Sequence, residues 1–310
     1  KVDVLNDVEL LKVSGNLNSD DWTAIKNMKN LIGLDLSEAK FNSVPDYAFD
    51  GLSKLSYTVL PEGLKNIGQY AFKGTQILNI DIPNTVTSIG QYAFAGTRVR
   101  NVNFKEDSKL TYIGYNAFRE CTSLEQFIMP NTVTTLGTYK NFVDYECGTF
   151  YGCTNLEKLH FSDALLTLEQ NVCYNCSKLK EVHLPQNIQS IRDYAFSKAS
   201  SLRKIDLPAS LKTIDYHAFY QCGLDSVKLP ITLSTMESRV FLECRNLKYV
   251  ELPSYIGNYD GNFYGCNSIQ KIVSKSATPP AISNDPFSNG PSKSGITLVV
   301  PSFAVANYKL

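Results

Sequence analysis

The chain has 310 residues, with thirty basic and thirty acidic side chains and a formal net charge of +0 at pH 7. That balance excludes the basic footprint of a nucleic-acid or anionic-membrane binder. Apolar residues make up 43% and charged residues 19%, which excludes wholesale disorder, and no apolar run reaches the ~20 residues of a membrane span.

In chain order, the first elements read as a cap. The sequence opens at Lys1 with no Met and no signal-like segment, as a mature or trimmed form would. Glu9 to Val13 alternates and predicts a strand. Ser19 to Met28 predicts a helix, with Ser19 or Asp20 as N-cap and Trp22, Ile25 and Met28 on one face. Residues 1–29 are expected to cover the first turn of an array built by residues 30–275.

Residues 30–275 repeat. An anchor recurs at Phe49, Phe72, Phe94, Phe118, Phe150, Phe196, Phe219, Phe241 and Phe263, with Cys173 filling the one gap. The intervals are 23, 22, 24, 32, 23, 23, 23, 22 and 22 residues. A period in this range, held over about ten units, predicts a solenoid. Each unit carries two short alternating segments. The first, as at Ile80 and Ile82 or Val227 and Leu229, ends on Pro83 or Pro230, which has no N–H for a ladder. The second, as at Val86 to Ile89 or Leu211 to Ile214, predicts a shorter strand. A tight helical or 3₁₀ turn around the anchor completes the unit. Stacking gives two parallel ladders with strands about 4.8 Å apart. Residues 276–310 break the pattern and predict a C-terminal capping unit. Thr278 and the prolines after it end the repeats, Ser283 to Gly295 reads as loop, and Thr297 to Pro301 supplies a last strand.

The units resemble the BspA-like, or Treponema pallidum-type, leucine-rich repeats. The pattern is carried by Ile205, Leu207 and Pro208, then Leu211 and Ile214, then Ala218, Phe219 and Cys222. The resemblance covers roughly residues 30 to 275, and the flanking segments resemble those of such proteins in Bacteroidetes. It implies a right-handed parallel β solenoid with an N-terminal helix cap. It also implies a bacterial cell-surface or secreted protein, in a family that includes adhesins.

Six cysteines (Cys121, Cys153, Cys176, Cys222, Cys244 and Cys266) stand three residues after an anchor, where earlier units have Thr75 and Thr97. They read as a ladder of small buried thiols. Neighbouring units are close enough for a disulfide, yet an in-register stack points the Cβ atoms in parallel, which suits bridging poorly. His160 and His183 lie ten residues past their anchors, and Asp206 ten past Phe196. All three are expected in one outward row of the first ladder. The row reads as an ordinary solvated face, with metal binding or a grip on a polar partner as the alternatives. Tyr249 belongs to the same face, as do Asp35, Asp81, Asn103, Lys158 and Glu181. The long interval after Phe118 places an insertion near 138–146, where Tyr139, Phe142 and Tyr145 would offer aromatic contacts. Tyrosines flanking the anchors read as packing between units.

There is no phosphate loop, Gly-x-Ser-x-Gly or His-Glu-x-x-His, so no enzyme and no cofactor is expected. The favoured function is recognition of an extracellular protein or glycan at a cell surface. A spacer without its own ligand is the alternative, and a hydrolase with an unrecognised site a weaker one.

Overall fold

Strands of two to four residues cannot stand alone, so each must pair with its equivalent in the next turn. The computed structural model shows that pairing in most turns. It describes residues 7–138, 147–254, 261–279 and 295–308. The architecture is a parallel β-solenoid, and the chain divides into two compact units, Lys1–Leu156 and Glu157–Leu310.

In the first unit the short ladder is continuous. It stacks Ser43–Val44, Asn66–Ile67, Ser88–Ile89, Tyr112–Ile113 and Thr135–Leu136. The longer ladder is interrupted. Leu10–Asn16, Gly33–Lys40 and Tyr57–Val59 form one sheet, Asn79–Ile82 pairs only with Asn101–Phe104, and Gln126–Ile128 belongs to neither. Both breaks fall where the turn changes length. Leu55 stands six residues past Phe49 but Ile77 five past Phe72; Val99 stands five past Phe94 but Leu124 six past Phe118. One residue more or less shifts a strand's start by about 3.3 Å, most of a ladder rung.

The second unit pairs Lys158–His160 with Glu181–His183, and stacks Thr167–Leu168, Ser190–Ile191, Thr213–Ile214 and Thr235–Met236. Ser226–Lys228, Tyr249–Leu252, Lys271–Ser274 and Thr297–Val299 form its last sheet. The strand expected through Ile205 and Leu207 does not form. Ile205 is buried and Asp206 exposed, so the alternation survives without the ladder. The next turn is again one residue short, and Gly223 packs so tightly that an added Cβ would lie 2.1 Å from the Ser200 carbonyl oxygen. Ser226–Lys228 and Tyr249–Leu252 stay paired although their turns also differ by one residue.

The helix spans Ser19–Lys26, and its N-cap is Asn18, one residue earlier than expected. Asn18 Oδ1 accepts from the Asp20 and Asp21 amides at 2.7 and 3.1 Å, while Asp21 accepts from the Asn18 amide at 2.9 Å. This reciprocal box satisfies otherwise orphaned donors. Met28 lies beyond the helix end but is buried. Trp22 meets Phe41 edge-on at 5.0 Å and Phe49 at 5.9 Å, closing the phenylalanine column. At the other end, Ser302–Tyr308 forms a 3₁₀ helix, tied down by a 2.9 Å hydrogen bond between Tyr308 and Ser274 hydroxyls.

The anchors fill the core. All nine phenylalanines are fully buried. Within the first unit, Phe49, Phe72, Phe94 and Phe118 follow one another at 4.8 to 5.3 Å between ring centroids; within the second, Phe196, Phe219, Phe241 and Phe263 do so at 5.3 to 5.6 Å. The turns around them are not helical. Two positions per turn adopt left-handed backbone, two residues before the anchor (Tyr47, Tyr70, Tyr92, Asn116, Asn171, Tyr194, His217, Arg239) and two after it (Gly74, Glu120, Asn175, Lys198, Gln221, Glu243). Left-handed backbone costs an L-residue about 1–2 kcal/mol. In return the turn amides point along the stack. Phe72 N donates to Ala93 O at 2.7 Å, Phe196 N to Ala218 O at 2.7 Å, and Lys198 N to Tyr220 O at 2.7 Å. These bonds make a third ladder.

All eight cysteines are buried, and none is in a disulfide. Cys121, Cys153, Cys244 and Cys266 donate S–H to the preceding anchor's carbonyl at 3.0 to 3.1 Å. Each of these carbonyls also accepts a backbone amide from its own turn, so the thiol is its second donor, and burial pushes Cys121, Cys222 and Cys266 up to about 12.

Candidate functional site

Because the inward positions are consumed by packing, free polar groups collect on the outward side of the first ladder. In the first unit that face carries two grooves. One of ≈ 540 Å³ lies between Tyr57–Val59 and Asn79–Ile82, and its lining includes Tyr57, Glu62, Asn79, Asp81, Asn103 and Lys105. The other, of ≈ 430 Å³, lies between Asn101–Phe104 and Gln126–Ile128 and includes Asn101, Asn103, Gln126 and Ile128. Both coincide with the two interruptions of the ladder. Strands that are not hydrogen-bonded leave room between them, and the groove walls inherit their unused polar edges.

Between the grooves the polar groups are ordered by one another. Asn101 Nδ2 donates to Asn79 Oδ1 and Asn103 Nδ2 to Asp81 Oδ1, both at 2.7 Å. Lys105 bridges to Glu62 at 2.9 and 3.1 Å across the first groove. Asp35 pairs loosely with Lys12 at 3.9 Å, and hydrogen bonds from Ser37 hold its carboxyl below the usual range.

On the second unit's face, His160 and His183 are register partners. Their ring centroids lie 3.9 Å apart. Burial, and secondarily the neighbouring His183, lower the pKa of His160. Asp206 does not join them. Its carboxylate lies 3.0 Å from Lys204 Nζ, on the segment that forms no strand. Asp163 joins the pair instead, 3.2 Å from His183 Nε2. Lys158 and Glu181 pair at 3.0 Å alongside. Tyr249 donates its hydroxyl to Glu251 at 2.9 Å, and Glu251, held below the usual range chiefly by Lys275, anchors it.

Tyr139, Phe142 and Tyr145 lie outside the described residues, as does most of the expected Ser283–Gly295 loop. The anchor-flanking tyrosines pack between turns. Tyr47, Tyr70 and Tyr92 stack face to face at 4.7 Å per step. His217 occupies the equivalent turn position in the second unit, stacked on Tyr216 at 3.7 Å. Sequence reasoning missed Asp163, whose only signal is its position three residues after His160. It also missed the grooves, which depend on the ladder breaks.

A model of the BspA type leucine-rich repeat region matches the chain in six copies, over residues 23–146, 140–248 and 166–293. No curated protein matches. A leucine-rich repeat protein from Bacteroides ovatus is similar in structure, with TM-score 0.63 and 20% identity over 96% of this chain and 72% of that one. The T. pallidum leucine-rich repeat protein gives TM-score 0.41 and 20% identity over 64% of this chain and 79% of that one. A leucine-rich cell surface protein from Faecalibacterium prausnitzii gives 0.44 and 16% identity over 86% and 87%.

Proposed function

The chain belongs to the BspA-type leucine-rich repeat family, and on that premise we propose that it is a non-enzymatic recognition module at a bacterial surface, binding an extracellular protein or glycan as an adhesin does. The observation that carries the reading is the pair of grooves on the first unit. Their volumes, ≈ 540 and ≈ 430 Å³, fall in the range of ligand sites. Their amide and carboxylate groups are held in place by neighbours in the stack before any ligand arrives, which lowers the ordering cost of binding. Tyr57 and Ile128 add exposed apolar surface at the rims. None of these side chains is required by the core. Location at the surface follows the family resemblance, and no helix among the described residues is long and apolar enough to cross a membrane.

The test is a binding screen of the whole chain against extracellular matrix proteins and a glycan array. A hit should weaken on Tyr57→Ala or Asn103→Ala while thermal stability stays within about 0.5 kcal/mol. A hit insensitive to both substitutions would move the site off the grooves. Silence in both screens would leave the chain as a spacer.

A further inference from the structure

We propose that His160, His183 and Asp163 form a binding site for a divalent transition-metal ion of the zinc class. The fold supplies the arrangement. His160 and His183 end two parallel strands in register, so both rings project from the same side of the sheet. Asp163 follows on the turn past His160 and reaches back to the His183 ring at 3.2 Å. One ligand atom from each of the three residues lies within 4.8 Å of the others.

The distances suit a metal of this size. Zinc–nitrogen and zinc–oxygen bonds of about 2.0–2.1 Å place tetrahedral ligand atoms about 3.3 Å apart. The Asp163–His183 pair already stands at that spacing. The two separations to His160 lie within 4.8 Å, so about 1.5 Å of side-chain adjustment at most completes the set.

The chemistry narrows the ion. Two imidazoles favour zinc, copper or nickel over magnesium or calcium, which prefer oxygen-only shells. One carboxylate beside two neutral rings leaves a net negative charge for a dication to offset. His160 is half-buried while His183 and Asp163 are exposed, so the ion would meet three protein ligands from below and keep its outer positions for water or a donor group. The thiols do not compete, because all eight are buried and none belongs to the cluster. Asp206, in phase by sequence, is held by Lys204 and is no ligand here. The proposal is independent of the recognition reading, since the grooves lie on the other unit.

The experiment is calorimetric titration of the full chain with zinc chloride, repeated with the single variants His183→Ala and Asp163→Asn and the double variant His160→Ala with His183→Ala. Thermal melts control for folding, which these outward side chains should not affect. The wild type should take up one equivalent at micromolar free zinc. Losing a partner that merely orients a metal ligand lowers affinity about 10–100-fold, so losing a ligand should lower it about tenfold or more. The double variant should show no uptake. Cobalt substituted for zinc should give ligand-field absorption without a thiolate charge-transfer band. Absence of wild-type uptake at micromolar zinc would overturn the site and leave an ordinary surface hydrogen bond. Uptake unchanged in the double variant, or a thiolate band, would overturn it by placing the metal elsewhere.

Discussion

His217 ties the turn geometry to a measurable pH dependence. It sits at a left-handed position with φ 57°, 9% exposed, between Tyr216, Tyr220 and Tyr194 at 3.7, 5.1 and 5.0 Å. Neither ring nitrogen has a hydrogen-bond partner. Protonation would place a cation in that aromatic packing with Arg239 nearby. Burial first, and Arg239 second, therefore lower its pKa from 6.5 to about 4. The unfolded chain, with the ordinary value, takes the proton first as pH falls. This residue contributes no pH dependence above about 6.5, where it is neutral in both states. Between 6.5 and about 4 it removes about 1.4 kcal/mol of stability per pH unit, reaching about 2 kcal/mol at pH 5 and at most about 3 kcal/mol at the plateau.

Urea unfolding midpoints at pH 7, 6, 5 and 4 check this for the wild type, His217→Tyr and His217→Asn. Tyr194 and Asn171 occupy the same turn position with φ 55° and 54°, so both substitutions suit the backbone. Two half-buried carboxyls also contribute to the pH dependence. Glu169 and Asp193 both lie above their usual range through burial. The wild-type-minus-variant difference cancels them and isolates the histidine. Equal slopes for wild type and both variants between pH 6.5 and 4 would refute the argument.

Four further outcomes are expected of the stack. Phe219→Ala should cost about 3–5 kcal/mol in chemical denaturation, because a fully buried ring at 5.5 and 5.3 Å from its neighbours leaves a cavity both ways. Gly90→Ala should cost about 1–3 kcal/mol, since its Cβ would meet the Gln69 amide and Gly68 carbonyl carbon at 2.7 Å. Gly74→Ala, with open space around it but φ +70°, should cost only about 1 kcal/mol, and the reverse order would contradict the packing. A thiol reagent at pH 8 should leave the native chain largely unmodified and titrate eight thiols in guanidinium; fewer than eight would mean disulfides.

The phenylalanine column was legible in the sequence because one residue type must recur wherever an identical hole recurs. The cysteine ladder was legible for the same reason. The left-handed turn positions were not. Glycine marks them at Gly51, Gly74, Gly96, Gly152, Gly261 and Gly265, but elsewhere Tyr, Asn, His, Arg, Lys, Gln or Glu takes the same backbone. There the amide bond to the next turn, not the side chain, holds the conformation, so composition carries no trace of it. The same limit applies to the outward row. Spacing located His160 and His183 because both lie on paired strands. It failed at Asp206, whose segment makes no ladder, and it had no means of reaching Asp163, which lies past the strand where spacing ceases to fix direction.

Regularity and recognition therefore come from different parts of the repeat. Where the long ladder of the first unit stays paired, it presents a flat face of alternating polar side chains. In the first unit, shortening the turns after Phe72 and Phe94 by one residue throws Asn79–Ile82 and Asn101–Phe104 out of step with their outer neighbours while keeping them in step with each other. The core tolerates the change because the phenylalanine column and the short ladder pass through it unbroken. The exposed ladder does not, and opens a groove on either side of the paired strands. Restoring the missing residue, by inserting one after Gly74 and one after Gly96, should close both grooves without loss of the stack. If the grooves bind the ligand, affinity should disappear with them.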